Sequence, residues 1–90
     1  MPSVKLTSNL NRFFPDLRPM VLEGKVVSVL LRQLDKRYPG IKDYILDEKG
    51  NLRTHINIYI NDKPISDREG LSDTVGEHDE MFIMQAISGG

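Results

Sequence analysis

The sequence contains no cysteine, no excess of basic residues and no long hydrophobic run. Without cysteine the chain has no disulfide framework, no thiolate metal site and no cysteine nucleophile. Its 12 Lys and Arg residues are scattered among 13 Asp and Glu residues, whereas non-specific nucleic-acid binding requires concentrated positive charge. No apolar segment approaches the ~20 residues of a membrane span, and Met1-Pro2-Ser3 does not begin a signal peptide. The composition predicts a cytoplasmic protein that binds neither nucleic acid nor membranes.

The common catalytic and cofactor-binding motifs are also missing from the sequence. Gly24-Lys25 lacks the upstream glycine of a phosphate-binding loop, and no Gly-x-Ser-x-Gly segment presents a nucleophilic serine. The histidines His55 and His78 have no clustered partners that would complete a metal site. A chain of 90 residues forms one small domain with a modest core. We therefore expect a protein that binds no metal or cofactor and is not an enzyme.

Hydrophobic periodicity predicts an α+β domain. Strands are expected where apolar and polar residues alternate, at 3–7, 19–23, 52–60 and 81–86, with a short edge strand after Pro64. The polar loop over residues 8–18 is expected to place its apolar residues Leu10, Phe13 and Phe14 on the core. The order strand, strand, helix, strand, short strand, strand is typical of an α+β fold.

One long helix is predicted between the second and third strands. Its apolar residues recur at helical spacing, at Val26, Val29, Leu30, Leu34 and Tyr38, with Val27 and Leu31 widening the stripe. Pro39 disfavours helical geometry in the residue before it, and Gly40 follows, so the helix is expected to end there. Residues 41–46 are expected to add a short helical turn.

The last strand has apolar residues on both of its faces. Met81 and Ile83 share one face and are assigned to the core, whereas Phe82 and Met84 share the other. A sheet covered by one helix buries only one face, so Phe82 and Met84 are expected to form an exposed patch beside Tyr59. Exposed apolar patches favour partner binding.

The sequence ends in Ser88, Gly89 and Gly90, which predict a thin, extended tail. Such a tail can enter the active site of another protein, although a frayed terminus or an expression remnant would have the same composition. A terminal carboxyl is an anion at neutral pH and reacts as an acyl donor only after activation, most directly by adenylylation with ATP. Because the chain has no nucleotide site, a separate enzyme must use the ATP. The activated carbonyl can then accept sulfur or an amine.

Together these features resemble the ubiquitin-like β-grasp sulfur carriers, the family of the molybdopterin synthase small subunit and the thiamine-biosynthesis carrier (MoaD/ThiS). The residues that carry the resemblance are Tyr38-Pro39-Gly40, the strand from Ile56 to Asn61, Gly70-Leu71, Asp79-Glu80 and Gly89-Gly90. It implies a β-grasp domain over residues 1–86 and a flexible tail over 87–90. The domain would contain a five-stranded mixed sheet, with the terminal strands parallel and adjacent and one main helix across one face.

The resemblance also implies a function. An E1-like adenylyltransferase would adenylylate Gly90, and a persulfide-bearing sulfurtransferase would convert it to a thiocarboxylate. The thiocarboxylate would donate its sulfur to a synthase subunit in molybdopterin, thiamine or cysteine biosynthesis. Two alternatives remain open: a protein modifier joined to lysines through Gly90, and a β-grasp adaptor whose tail has no role.

Three positions depart from the family pattern. Lys25 replaces a Thr-type helix cap, so Gly24 is expected to serve as a weaker cap. His78 replaces a turn glycine and is expected to tolerate positive φ. Gln85 replaces a proline, which is expected to leave the tail less stiff.

Overall fold

The computed structural model describes residues 1–7, 10 and 12–86. Within these residues five strands and two helices follow one another as β1 (Ser3–Leu6), β2 (Met20–Val21), α1 (Val27–Arg37), α2 (Ile41–Ile45), β3 (Ile56–Ile60), β4 (Lys63–Pro64) and β5 (Glu80–Gln85). The strands form one mixed sheet in the order β2-β1-β5-β3-β4. The terminal strands β1 and β5 are adjacent and parallel, and the other pairings are antiparallel. The predicted α+β class, strand number and topology are confirmed.

The core lies between one face of the sheet and helix α1. Strand residues of one parity are fully buried, among them Val4, Ile56, Ile58, Met81 and Ile83. They pack against a helical stripe at i, i+3, i+4 and i+7 spacing, formed by Val27, Leu30, Leu31 and Leu34. The predicted stripe was therefore centred one residue too early, because Val26 precedes the helix and Val29 is only half-buried.

Backbone carbonyl groups from a distant loop satisfy the start of α1. The Val27 N–H donates to the Asp73 carbonyl at 3.0 Å, and the Ser28 N–H donates to the Leu71 carbonyl at 3.0 Å. The N-cap residue is Val26 in an extended conformation, so the prediction of a Gly24 cap is wrong. Gly24 instead gives room to the helix, since a Cβ there would lie 3.0 Å from the side chains of Leu30 and Val29, which would have to shift.

Strand β3 begins at Ile56, four residues later than predicted. Leu52 is buried like the strand residues, but it forms an isolated antiparallel bridge with Leu46, and its N–H donates to the Arg68 carbonyl at 2.8 Å. The chain then turns, and the Ile56 N–H donates to the Arg53 carbonyl at 3.0 Å. Because Leu52 is buried against the neighbouring loops and does not pair with β5, strand β3 begins only at Ile56.

Asn61 forms the tight turn between β3 and β4 and links it to the start of β5. Its φ is 57°, a conformation that Asn adopts more readily than most residues. The Asn61 side chain donates to Asp79 Oδ1 at 3.0 Å and accepts from the Glu80 N–H at 3.0 Å. His78 does not have positive φ, so the departure from glycine there requires no unusual backbone.

Three apolar residues of the first loop were predicted to lie on the core, and two of them do. Leu10 is buried and Phe14 packs against the core, whereas Phe13 remains 54% exposed. The prediction for Phe13 is wrong because its ring stacks on Tyr44, outside the core. Neither helix of the described residues is long and apolar enough to cross a membrane.

Candidate functional site

Tyr59, Phe82 and Met84 share the face of the sheet opposite α1, as their parity predicts. Tyr59 pairs with Phe82 across β3 and β5, with ring centroids 6.5 Å apart and planes tilted by 31°. Met84 is the next residue of β5 on that face and pairs with Asn57. We call Tyr59, Phe82 and Met84 the outer-face patch.

The outer-face patch is less exposed than expected from the sequence. All three side chains are half-buried rather than fully exposed. Lys5, directly opposite Phe82 on β1, places its Nζ 5.9 Å from the Phe82 ring centroid. A cation over an aromatic ring at an exposed site contributes about 0.5–1 kcal/mol. The patch is therefore a continuous apolar surface with a positive charge at its β1 side.

Hydrogen bonds on both sides hold the end of β5. On one side the Thr7 N–H donates to the Ile83 carbonyl at 3.1 Å, and the Gln85 N–H donates to Thr7 Oγ1 at 3.2 Å. On the other side the Ala86 N–H donates to the His55 carbonyl at 2.8 Å. Proline at position 85 would lack the N–H that Thr7 accepts. Gln85 thus allows the ordered hydrogen-bond pattern to continue to Ala86.

The predicted reactive residue Gly90 and the tail residues Ser88 and Gly89 lie outside the described residues. Their assigned roles, and the boundary between domain and tail at residues 86 and 87, remain predictions. The structure does place the starting point of this segment, because the Ala86 N–H donates to the His55 carbonyl at 2.8 Å, at the end of the central strand β5.

A depression of about 280 Å³ lies beside this starting point and was not anticipated from the sequence. It is lined by Leu10, Phe13, Asp43, Tyr44, Arg53, His55 and Gln85. We call it the exit pocket. The side chain of Gln85 has the parity of Met81 and Ile83, so the pocket opens on the helix side of the sheet, opposite the outer-face patch. The apolar residues Leu10 and Phe13 of the loop over residues 8–18 were the sequence signal for it, but they were assigned to the core.

Carboxylates order several loops around the fold. Asp67 accepts hydrogen bonds from the Ser72 hydroxyl at 2.6 Å and from the backbone N–H groups of Gly70 and Ser72, and these bonds lower its pKa to about 2. Hydrogen bonds from the Asn61 side chain and the Gly76 N–H likewise lower the pKa of Asp79. These carboxylates stabilise loop conformations. In the part of the chain that the structure describes, no group of three or more His, Asp or Glu residues could hold a metal ion.

The mixed sheet, with its parallel terminal strands and one helix across one face, defines the ubiquitin-like β-grasp class. The sequence model of the ThiS family matches residues 9–90, and the chain belongs to this family of sulfur carriers. Its members are small, substrate-like carriers rather than catalysts. The predicted family and fold are confirmed.

Individual relatives agree with this assignment. The sulfur carrier protein CysO of Mycobacterium tuberculosis is 29% identical over 74% of this chain and 74% of that protein. The crystal structure of the Amycolatopsis orientalis BexX/CysO complex contains a chain that is 26% identical, with a TM-score of 0.86 and full coverage of both chains. The small archaeal modifier protein 1 (SAMP1) of Methanosarcina acetivorans is 35% identical, with a TM-score of 0.75, over 98% of this chain and 94% of that one.

Proposed function

We propose that this protein carries sulfur on the carboxyl group of Gly90. The observation that carries the proposal is the match to the ThiS family, which extends to residue 90, together with relatives that are named sulfur carriers. The fixed position of Ala86 supports it, since a reactive group at Gly90 would project from a defined point on a rigid sheet. The domain itself would bind and orient, while partner enzymes perform the chemistry.

Activation would require an E1-like adenylyltransferase that uses ATP. The Gly90 carboxylate attacks the α-phosphorus of ATP, which gives an acyl adenylate and releases pyrophosphate. A persulfide on a sulfurtransferase then attacks the acyl carbon and displaces AMP, which leaves an acyl disulfide. A second thiol attacks the sulfur of the sulfurtransferase and releases Gly90 as a thiocarboxylate. The thiocarboxylate sulfur, itself a nucleophile, would then attack an electrophilic carbon of the acceptor's substrate and displace its leaving group. Hydrolysis of the resulting thioester would leave the sulfur on the substrate and return the Gly90 carboxylate.

The sulfur acceptor that we favour belongs to a cysteine-type pathway, with molybdopterin and thiamine biosynthesis as alternatives. The similarity to CysO carriers supports this preference. CysO of Amycolatopsis orientalis forms a complex with BexX, which supports the proposal that partner proteins bind a domain of this shape. The synthase subunit that accepts the sulfur would have to admit the tail to its active site.

Intact-protein mass spectrometry tests the carrier function directly. The chain is incubated with its adenylyltransferase, ATP and a persulfide-loaded sulfurtransferase. We expect a mass increase that corresponds to replacement of one oxygen by sulfur. A variant that lacks Gly90 should show none. If the full chain keeps an ordinary carboxylate under conditions that charge a control carrier, the proposal is wrong.

A second candidate function is protein modification, in which Gly90 forms an isopeptide bond with a lysine. The similarity to SAMP1, which is named a modifier protein, supports this second candidate function. Cell lysates should then contain high-mass conjugates that disappear when Gly89 and Gly90 are deleted. Under the third alternative, an adaptor with an idle tail, this deletion would leave the biological activity intact.

A further inference from the structure

We infer that the exit pocket is a docking surface for the active-site rim of the adenylyltransferase that takes the tail. The inference rests on the proposed function and extends it to residues on the side of the sheet opposite the outer-face patch. It assigns recognition roles to Phe13, Tyr44 and Arg53.

The length of chain beyond the sheet requires a contact in this region. Ala86 is fixed by its hydrogen bond to the His55 carbonyl, and only Ile87, Ser88 and Gly89 separate it from Gly90. Four residues span at most about 14 Å when fully extended. An enzyme that holds the Gly90 carboxyl in its active site must therefore bring its rim against the surface around Ala86. His55 and Gln85, which flank this point, both line the exit pocket.

The pocket presents a stacked pair of exposed aromatic rings. Phe13 and Tyr44 are 54% and 39% exposed, and their ring centroids lie 4.8 Å apart with planes at 25°. Large apolar side chains this exposed are few among the described residues, and these two lie together. Aromatic side chains, Phe among them, are enriched at protein interfaces, and Tyr is enriched among the residues that dominate binding energy there.

The aromatic pair is held in place before any partner binds. Phe14 packs edge-to-face against Tyr44, with centroids 5.6 Å apart, and against Tyr38 at 6.2 Å. Phe14 in turn packs on the hydrophobic core. Side chains that are already ordered lose little conformational entropy on binding, which favours affinity.

Arg53 supplies the pocket, which Asp43 also lines, with an oriented guanidinium group. Its Nε and Nη2 donate to the Asp43 carbonyl at 3.1 and 2.9 Å, so the guanidinium is oriented by the backbone of α2. We therefore assign the partner surface an apolar ridge that covers Phe13 and Tyr44, with a carboxylate beside it that faces Arg53.

A binding experiment with matched variants tests the inference. Affinity of the full chain for the adenylyltransferase is measured by calorimetry, and adenylylation of the same samples by pyrophosphate release. Phe13→Ser and Tyr44→Ser should each weaken binding at least fivefold and raise KM without lowering kcat. Val21→Ser is the control. Val21 is 52% exposed, nearly as much as Phe13, but it lies on the edge strand β2 and does not line the exit pocket. It should bind like the parent.

The outcomes separate this inference from the proposed function. If the parent is adenylylated and both pocket variants bind as tightly as it does, the inference is overturned and the proposed function stands. Equal weakening by Val21→Ser would also overturn it. So would sedimentation showing that the chain forms a dimer that Phe13→Ser abolishes, because a second copy would then occupy the pocket. If the parent is never adenylylated, the proposed function fails and the inference fails with it.

Discussion

Tyr59 and Phe82 lie directly opposite each other on β3 and β5, with ring centroids 6.5 Å apart on the outer face of the sheet. Their immediate neighbours along the strands, Ile58 and Ile83, are also paired but point into the core. One residue step therefore separates the outer face of the sheet from the face that holds the fold together.

Phe82→Glu should impair recognition without unfolding the domain. Burying a large apolar side chain at an interface contributes about 1.5–3 kcal/mol before the costs of association. We expect kcat/KM for adenylylation to fall more than tenfold while the circular dichroism spectrum stays native. The control is Ile58→Glu, which places an unpaired charge in the core and should unfold the chain. The reverse pattern would show that the outer-face patch is not a recognition surface.

Replacement of Thr7 by Val should loosen the end of β5. The variant keeps the shape of the side chain but removes the oxygen that accepts from the Gln85 N–H. Loss of one such bond costs about 0.5–1.5 kcal/mol of unfolding free energy, measurable by urea denaturation. Hydrogen exchange at the Gln85 amide should also accelerate. Thr7→Ser retains the hydroxyl and should restore protection; equal exchange in all three proteins would contradict the assignment.

Arg68→Lys should destabilise the start of β3. The guanidinium donates to the carbonyl groups of Arg53 and Ile56 at 2.8 Å and to Asn57 Oδ1 at 3.2 Å, and a lysine ammonium cannot reproduce this fork. The free energy of unfolding should fall by about 1.5–3 kcal/mol. Arg32→Lys, on the exposed side of α1, is the matched control and should leave it unchanged. Equal effects would mean that Arg68 acts only as a charge.

Acid should weaken the loop that caps α1. The pKa of Asp67 is lowered from its ordinary value of 3.8 to about 2 by hydrogen bonds from Ser72 and Gly70. Its stabilising contribution is therefore complete above pH 4 and is lost as the pH falls through 3.8 towards 2. Asp67→Asn should lower the melting temperature at pH 7, and the difference from the parent should shrink towards pH 2. Asp62→Asn, at the exposed hairpin tip, serves as the control; a constant difference at every pH would disprove the linkage.

The sequence predicted those features that depend on neighbouring residues. Alternation placed Met81 in the core and Phe82 outside, and Pro39 marked the end of α1. Prediction from the sequence failed where contacts between distant segments determine the structure. The start of α1 depends on the carbonyl groups of Leu71 and Asp73, and no local pattern indicates such a cap.

The exit pocket was missed for the same reason. Phe13 and Tyr44 are 31 positions apart, and no periodicity connects a loop residue with a residue of a short helix. The role of Gln85 also required the structure, because its partner Thr7 belongs to the opposite end of the chain. By contrast, the residues of the outer-face patch lie on two strongly patterned strands, so parity alone assigned them to one face.

The central position of β5 has a mechanical consequence for the proposed action through Gly90. A partner that draws the tail inwards pulls on β5 along its own axis. Because β1 and β3 flank the strand on both sides, this force loads two rows of hydrogen bonds in shear. The bonds to β3 are perpendicular to the strand and those to β1 are slanted, and in shear both rows share the load rather than breaking one after another. The fold therefore anchors the residue before the tail, Ala86, in a geometry that resists extraction.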